Sequence, residues 1–435
     1  MSWKEKIVEN KEILLVLLIL TGAYILSFMA AGDVWWDAAV YIGMAKYIYS
    51  QGAIGLWEPN RPLLWPLLIG FFWKIGVDIF LAAKLLTLFF ALGSVYLTYK
   101  ITEVIADKKT ALVAALLLGL WPIFFLYVSV LQTEIPAAFF FLWAIQRLLN
   151  KKYAQSGFLL ALSFLTRFFQ IFLILPLFLY LLVMVIQKKQ EIKNILFFII
   201  MFSLPVIIFL ASNFLRYKNI FYPFELQSYM TQHTGWIFYQ PWWYYFVEMS
   251  KENIFSIFII PGIYFLFREA RKQKAETKIL FILILTGGSL PFLFAQHKEM
   301  RILIPLIPFF SVSIGICITR IYDVLEKTQK IMLCAFLSII FLVWTLPQLH
   351  GNTYEDHLDF FYEKMQSVSE NATLWISNPA FIAHTNQKAS ELIYYPLYNT
   401  EKMQDMEKKI PQKNVVLINS CDLLPCPEVD VGCQQ

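Results

Sequence analysis

The sequence predicts an all-α polytopic membrane protein that carries a small α/β domain at its C-terminal end. The chain is 58% hydrophobic and 15% charged, whereas soluble domains carry about 25% charged residues. Apolar stretches recur from Ile13 to Leu346, and their length of about 20 residues is what a helix needs to cross the hydrocarbon core. No polar face interrupts these stretches at each turn, which excludes a soluble helical protein.

Eleven apolar segments account for the hydrophobicity, and each is predicted to be a transmembrane helix. These predicted spans are 13–30, 79–99, 110–129, 134–149, 154–168, 169–187, 194–213, 253–267, 279–296, 301–319 and 330–347. The first follows a charged N-terminus and is too long for a cleavable signal segment, so we expect it to be retained.

Basic residues occur in every second loop, and this alternation predicts the topology. The basic loops hold Lys4, Lys6, Lys11, Lys100, Lys108, Lys109, Arg147, Lys151, Lys152, Lys188, Lys189, Lys193, Arg268, Arg271, Lys272, Lys274, Lys278, Arg320, Lys327 and Lys330. Because basic loops stay in the cytoplasm, the N-terminus is predicted inside and the chain after Pro347 outside. The short loops favour the cell membrane of a prokaryote.

The chain is predicted to consist of a membrane domain, 1–348, and an extracytoplasmic C-terminal domain, 349–435, that follows the last apolar segment. Counting Pro62–Gly76 as a span would invert every later loop, so this segment is predicted to be a juxtamembrane helix. It shares the first outer loop, 31–78, with a second predicted helix, Asp37–Ser50. In the C-terminal domain, 373–376 and 415–418 are typical of β-strands.

Asp37 is the first candidate for catalysis, because it follows the first span and precedes Tyr41 by one helical turn. A carboxylate in this place is suited to be a general base that activates an acceptor hydroxyl. The alternative is that Asp37 only caps a helix. Asp33 fits a cap or a turn better still.

Glu134 lies in a short predicted outer turn, Gln132-Thr133-Glu134-Ile135-Pro136. It either caps the next helix, where negative charge is favoured, or faces Asp37 across a cavity and helps to hold a divalent cation. Oxygen ligands and a phosphate-bearing substrate would suit Mg²⁺ or Mn²⁺.

The segment His297-Lys298-Glu299-Met300-Arg301 places four ionisable residues in a five-residue outer turn. Lys298 and a bidentate Arg301 are the groups that would bind a phosphate, and Arg167 is a further candidate for this role. The alternative is a pair of basic side chains that reach from a helix end to the membrane interface.

An aromatic outer loop, 216–253, contains His233 and several Trp and Tyr residues. Such rings gather at membrane interfaces without a catalytic role. They would equally cover a polyprenyl chain or the face of a sugar.

Four of these motifs together resemble the GT-C superfamily of integral membrane glycosyltransferases, which includes protein O-mannosyltransferases and the aminoarabinose transferase of lipid A. The motif Asp37-x-x-x-Tyr41-x-x-x-Ala45, followed by Arg61-Pro62, is similar to the first outer loop of that superfamily. Many members carry Glu directly after the Asp, where this chain has Ala38. The segments 132–134 and 166–167 are similar to the next two motifs. The segment 297–301 resembles the HKExRF motif of Alg9/PIG-B type mannosyltransferases, with Ile302 in place of Phe.

The resemblance implies a GT-C-like bundle and a polyprenyl- or dolichyl-phosphate donor of mannose or another hexose. It also implies a glycan, lipid or protein acceptor and an inverting reaction in which Asp37 deprotonates the acceptor. Lys298, Arg301 and Arg167 would then stabilise the phosphate leaving group. Further candidates for the site are Tyr41, Arg61, His233, His297 and Glu299. Membrane lipids are expected partners, and a nucleic acid is not.

Two other classes of function remain open from the residues. A multi-pass transporter or flippase of a lipid-linked or anionic substrate would show inverted repeats and ionisable residues near the bilayer midplane. A receptor or scaffold would leave the ionisable residues in the outer turns unexplained.

Overall fold

The computed structural model describes residues 10–234, 238–270, 275–355, 363, 373–392 and 414–417, and most of this part of the chain is helical. The α-helices are α1 (Lys11–Met29), α2 (Trp36–Tyr49), α3 (Leu64–Lys74), α4 (Ile79–Ile105), α5 (Lys108–Gly119), α6 (Pro122–Val130), α7 (Glu134–Leu149), α8 (Tyr153–Thr166), α9 (Ile171–Ile186), α10 (Ile192–Tyr217), α11 (Tyr222–Thr234), α12 (Tyr244–Glu252), α13 (Ile259–Ala270), α14 (Ala275–Phe294), α15 (Ile307–Val324), α16 (Lys327–Ile340) and α17 (Ala380–His384). The strands are β1 (Thr373–Ile376), β2 (Ala389–Leu392) and β3 (Asn414–Leu417). The helices α2 and α3 and the strand β1 confirm the corresponding predictions.

Within the described residues, seven helical segments are long and apolar enough to cross a membrane. They are Lys11–Met29, Ile79–Ile105, Phe168–Ile186, Ile192–Tyr217, Glu276–Phe294, Met300–Val324 and Lys327–Gln348. The pair α5 and α6 forms a further candidate that is bent by 54°. The bend lies where Pro122, which has no backbone N–H, begins α6. The chain is therefore an integral, multi-pass membrane protein.

The other three predicted spans are also helical, but their helices are shorter. Helix α7 has 16 residues, α8 has 14 and α13 has 12, whereas about 20 residues span the hydrocarbon core. Helix α7 has the predicted bounds, 134–149, and α8 differs from the predicted segment 154–168 by at most two residues at either end, whereas α13 begins six residues after the start of the predicted segment 253–267.

The described chain divides into two compact units. Unit 1 comprises 1–31, 84–209 and 240–352, and unit 2 comprises 32–83, 210–239 and 353–435. The first predicted outer loop and the C-terminal residues therefore both belong to unit 2. The domain boundary predicted at residues 348 and 349 stays a prediction.

In unit 1, helices α7 and α8 form a tightly packed antiparallel pair. The hydroxyl of Ser156 donates to the carbonyl of Ala144 at 2.8 Å, and the hydroxyl of Ser163 donates to the carbonyl of Ala137 at 2.9 Å. Small residues at such contacts let helix backbones approach closely. Because the helices are antiparallel, Glu134 at the start of α7 lies beside Arg167, which follows the last residue of α8.

In unit 2, the three strands form a parallel sheet in the order β2-β1-β3. Its apolar face shares one hydrophobic core with α2, α17 and Leu56. Gly55 adopts φ +88, and a Cβ atom there would lie 2.2 Å from the carbonyl oxygen of Gly43. The backbone of Gly55 also pairs with Gln387 and Ala389 at 2.9 Å each, and these hydrogen bonds join the C-terminal segment to the first predicted outer loop.

Candidate active site

Asp37 lies in the first turn of α2 in unit 2, and Arg61 holds its carboxylate. The distance from Arg61 Nη2 to Asp37 Oδ1 is 2.7 Å, and the Asp37 side chain is 18% exposed. Trp35, not Asp37, occupies the N-cap position of α2. The structure thus places Asp37 inside the helix with an ion-pair partner and with access to solvent.

Arg61 is in turn held by a second carboxylate and by two aromatic rings. Its Nε lies 2.6 Å from Oε2 of Glu58, which is 3% exposed. The guanidinium is 5.8 Å from the ring of Trp36 and 5.7 Å from that of Tyr41. Arg61 therefore contacts both the carboxylate of Asp37 and the ring of Tyr41. His233 is part of α11, and its side chain lies outside the described residues.

Glu134 lies at the start of α7 in unit 1 and is fully buried. Its Oε1 is 2.6 Å from Nη1 of Arg167, which also donates to the hydroxyl of Thr133 at 3.3 Å. Within the described residues, Oε2 of Glu134 is buried and has no hydrogen-bond partner. A buried carboxylate oxygen without a partner is costly, and this indicates a place for a polar ligand.

The second ionic cluster of unit 1 is formed by His297, Glu299 and Arg301. Glu299 Oε2 is 2.8 Å from Arg301 Nε, Arg301 Nη2 donates to Oε1 at 3.0 Å, and His297 Nε2 is 2.8 Å from that oxygen. Burial alone would raise the pKa of Glu299, but its hydrogen bonds and its charged neighbours hold the pKa below the usual range.

The two clusters of unit 1 meet at the turn 132–134. Arg301 Nη1 donates to Oε1 of Gln132 at 3.4 Å, and Arg167 binds the next two residues of the same turn. The amide nitrogen of Gln132 is buried and has no partner among the described residues. Arg167, Arg301 and this amide thus bring several N–H donors to one short turn.

Lys298 differs from Arg301 in its surroundings. Its side chain is 3% exposed, and its amine donates to the carbonyl of Gln240 at 3.0 Å and to that of Ala295. Burial lowers the pKa of Lys298. A phosphate would have to replace these carbonyl contacts, so Arg301 is the better placed of the two.

No three His, Cys, Asp or Glu side chains converge on a metal-sized site in the described part of the chain. Glu134 already has its charge balanced by Arg167. Its second oxygen would fit a divalent cation only together with phosphate oxygens, an arrangement that Mg²⁺ commonly adopts.

Sequence reasoning missed Glu58 and the role of Gln132. Glu58 precedes Arg61 by three residues, a spacing that brings side chains together within one turn. The sequence therefore contained enough information to predict this ion pair. The contact between Gln132 and Arg301 joins residues 169 positions apart, and no local pattern indicates it.

Known structures share this fold at low sequence identity. ArnT from Cupriavidus metallidurans, bound to undecaprenyl phosphate, superposes with a TM-score of 0.66 and 10% identity, over 94% of this chain and 90% of that chain. The oligosaccharyltransferase of Archaeoglobus fulgidus, in the apo form, gives 0.64 and 12% identity, over 90% of this chain and 65% of that chain. The archaeal oligosaccharyltransferase AglB from Archaeoglobus fulgidus, in complex with an inhibitory peptide and a dolichol-phosphate, gives a TM-score of 0.65 and 12% identity, over 89% of this chain and 65% of that chain.

A comparison with models of protein families identifies the family of this chain. No curated protein matches the chain. The model of the Alg9-like mannosyltransferase family matches residues 13–387, a region that includes the Asp37, Glu134 and Arg301 clusters. The chain is a membrane glycosyltransferase with the GT-C fold and belongs to the Alg9-like mannosyltransferase family.

Proposed function

We propose that this enzyme transfers one sugar, mannose or another hexose, from a polyprenyl- or dolichyl-phosphate donor to an extracytoplasmic acceptor. The acceptor is a hydroxyl group of a glycan, a lipid or a protein. The family supports the transfer of a sugar. The undecaprenyl phosphate and the dolichol-phosphate bound by ArnT and AglB support a lipid-phosphate carrier.

In the proposed reaction, Asp37 is the general base. Its carboxylate takes the proton of the acceptor hydroxyl, and the acceptor oxygen forms a bond to the anomeric carbon. The bond from that carbon to the phosphate oxygen breaks in the same displacement, so the configuration inverts and the lipid phosphate leaves. The contact of 2.7 Å between Asp37 and Arg61 carries this assignment, because it orients a carboxylate that keeps access to solvent.

The leaving phosphate gains negative charge as the glycosidic bond breaks, and we assign its stabilisation to unit 1. Arg301 and Arg167 would donate N–H groups to the phosphate oxygens, and preorganised donors of this kind contribute strongly to catalysis. The amide of Gln132 is a further donor. Glu134 and Glu299 orient the two arginines, and His297 supports Glu299. A Mg²⁺ or Mn²⁺ ion would be held by Glu134 and the phosphate and would add positive charge there, but the proposed steps do not require it.

The test of the base compares Asp37→Asn with wild type in transfer of radiolabelled mannose from polyprenyl-phosphate-mannose to a membrane lipid extract. Loss of a general base lowers turnover by about 10²–10⁴-fold, whereas binding of the donor should be retained. Asp33→Asn is the matched control, because Asp33 lies in the same predicted loop, and it should keep near wild-type turnover.

Two results would contradict this assignment. Turnover by Asp37→Asn within a few-fold of wild type would show that the base lies elsewhere. Movement of an intact lipid-linked substrate across the bilayer by wild type, without any transfer of sugar, would favour the flippase class.

A further inference from the structure

An apolar cavity lies in unit 1 between α5, α15 and α16, and the proposed reaction steps use none of the residues that line it. Its volume is about 650 Å³, which is within the range of about 300–1,000 Å³ that ligand sites occupy. Its walls are mainly aliphatic and aromatic side chains, among them Leu116, Leu120, Ile318, Leu333, Leu337 and Phe341.

Helix α16 forms one wall of the cavity and packs loosely against the other helices. None of its residues is buried, whereas 12 of the 18 residues of α15 are buried. Leu333, Leu337 and Phe341 recur at spacings of four residues and therefore share the face that lines the cavity. Because protein interiors are otherwise close-packed, an apolar cavity of this size between membrane helices is suited to a lipid chain.

Basic side chains mark one end of the cavity, at the last turn of α15. Lys109 lines the cavity, and its Nζ lies 3.7 Å from the ring centroid of Tyr322. Lys330 precedes Leu333 by three residues, and its Nζ is 5.2 Å from the same ring. Among the described residues, Lys330 has no carboxylate within 4.0 Å. Both lysines belong to basic segments that are predicted to be cytoplasmic.

The carboxylates near this ring leave an excess of positive charge. Lys109 and Arg320 share Asp323, at 2.7 Å and 3.9 Å. Arg320 also binds Glu269 at 2.5 Å, and Lys278 contacts that carboxylate at 3.0 Å. Three basic groups thus share two carboxylates, in addition to the lysine of α16. A basic pocket between membrane helices on the cytoplasmic side is suited to an anionic lipid head group.

We propose that this cavity binds an anionic phospholipid of the predicted inner leaflet, with an acyl chain between α5 and α16 and its phosphate at Lys330 and Lys109. The site goes beyond the proposed function, because the donor phosphate is assigned to Arg301 and Arg167. Arg301 precedes α15, whereas Tyr322 lies in its last turn. The 18 residues of α15 extend over about 27 Å, so the two phosphate sites lie at opposite ends of this helix.

The test measures lipid binding to the full-length enzyme by native mass spectrometry, with dioleoyl-phosphatidylglycerol and dioleoyl-phosphatidylcholine as the probes. We expect wild type to bind one phosphatidylglycerol with a Kd about tenfold or more below that for phosphatidylcholine, because charge-assisted contacts hold the anionic head group. Lys330→Gln should raise the Kd for phosphatidylglycerol about tenfold. Lys188→Gln removes an exposed lysine of another predicted cytoplasmic segment and is the matched control, with a wild-type Kd expected.

Filling the cavity tests the place of the acyl chain. Ser338 lines the cavity, whereas Ile339 is 59% exposed and points to another side of α16. Ser338→Trp should abolish the binding of phosphatidylglycerol, and Ile339→Trp should leave it unchanged. Because a ligand of the folded state stabilises that state, phosphatidylglycerol should raise the melting temperature of wild type and of Ile339→Trp but not that of Ser338→Trp.

Several results would overturn the inference. These are equal Kd values for the two lipids, a wild-type Kd in Lys330→Gln, or unchanged binding of phosphatidylglycerol by Ser338→Trp. Displacement of phosphatidylglycerol by polyprenyl phosphate would assign the cavity to the donor chain and would also overturn it. None of these measurements depends on the transfer of sugar, so the proposed function is tested separately by the transfer assay of Asp37→Asn.

Discussion

At the scale of single residues, two ion pairs of the candidate site have different roles: one orients the carboxylate of Asp37, and the other orients the guanidinium of Arg167. Arg61 holds Asp37 at 2.7 Å, and the Asp37 side chain keeps 18% exposure. Glu134 is fully buried, and its partner Arg167 is 13% exposed. Asp37 and Arg61 are about equally exposed, at 18% and 17%, whereas in the second pair only Arg167 keeps access to solvent.

Arg301 should be sensitive to the shape of its side chain as well as to its charge. Its guanidinium binds both oxygens of Glu299 and also reaches Gln132, and a lysine ammonium cannot reproduce this fork. We expect Arg301→Lys to lower kcat by about 10- to 100-fold, since one charge-assisted donor contributes about 1.5–3 kcal/mol. Steady-state kinetics of transfer would measure this decrease in kcat.

Lys298→Met should reduce thermal stability more than kcat. The reverse pattern, with Arg301→Lys affecting mainly stability and Lys298→Met affecting mainly kcat, would contradict the two assignments.

Glu252 should make stability depend on pH. Burial and the charge of Glu248 raise its pKa from 4.5 to about 7, so the folded state binds this proton more tightly than the unfolded state. Its contribution to stability therefore falls as pH rises from about 4.5 to about 7 and is constant above that. At about pH 8, Glu252→Gln should increase the free energy of unfolding by about 1–3 kcal/mol and so raise the melting temperature. At about pH 5, it should change both quantities very little. Glu248→Gln should give a smaller change, and an equal gain for Glu252→Gln at both pH values would contradict the assignment.

At the scale of elements, one buried lysine joins α2 to the C-terminal segment. Lys46 is 4% exposed, and its amine donates to the carbonyls of Ala383 at 2.7 Å, Thr385 at 2.8 Å and Ile382 at 3.3 Å. Burial lowers the pKa of Lys46 to about 8, against the opposing charge of Asp78. The helix that begins at Trp36 and carries Asp37 is therefore fixed in part by the end of α17.

Replacing this amine should loosen the C-terminal segment. Lys46→Met keeps the length of the side chain but leaves buried carbonyls without a donor, which costs about 1–3 kcal/mol. Hydrogen exchange in α17 should become faster, and the melting temperature should fall. Lys74→Met removes an exposed lysine of α3 and should change neither. Unchanged exchange in Lys46→Met would show that the apolar core alone holds the segment.

The sequence was sufficient for elements with a strong local pattern. Helix α2 was predicted at Asp37–Ser50 and occupies Trp36–Tyr49, and strand β1 has the predicted bounds. It was not sufficient where distant segments pair, because no local periodicity records such contacts. The three carbonyl partners of Lys46 lie more than 330 residues away, and the shared core of unit 2 depends on Gly55 meeting the C-terminal chain.

At the scale of the whole molecule, the fold and the family establish a membrane glycosyltransferase, and the proposed steps depend on the nature of its donor. Basic loops predict that the Asp37 loop lies outside the cytoplasm, where nucleotide sugars are absent. A lipid monophosphate also supplies the single anionic leaving group that we assign to Arg301 and Arg167. The predicted location favours a lipid-linked donor over a nucleotide sugar, and the two arginines fit an anionic leaving group.

The most direct measurement is therefore a comparison of donors with the purified enzyme in nanodiscs. Radiolabelled mannose would be supplied as polyprenyl-phosphate-mannose, as a polyprenyl-pyrophosphate-linked sugar or as a nucleotide sugar, and label in the acceptor lipids would be counted for wild type and Asp37→Asn. We expect transfer by wild type from the lipid monophosphate alone and almost none by Asp37→Asn. Transfer from the nucleotide sugar, or equal transfer by the two proteins, would contradict the central claim.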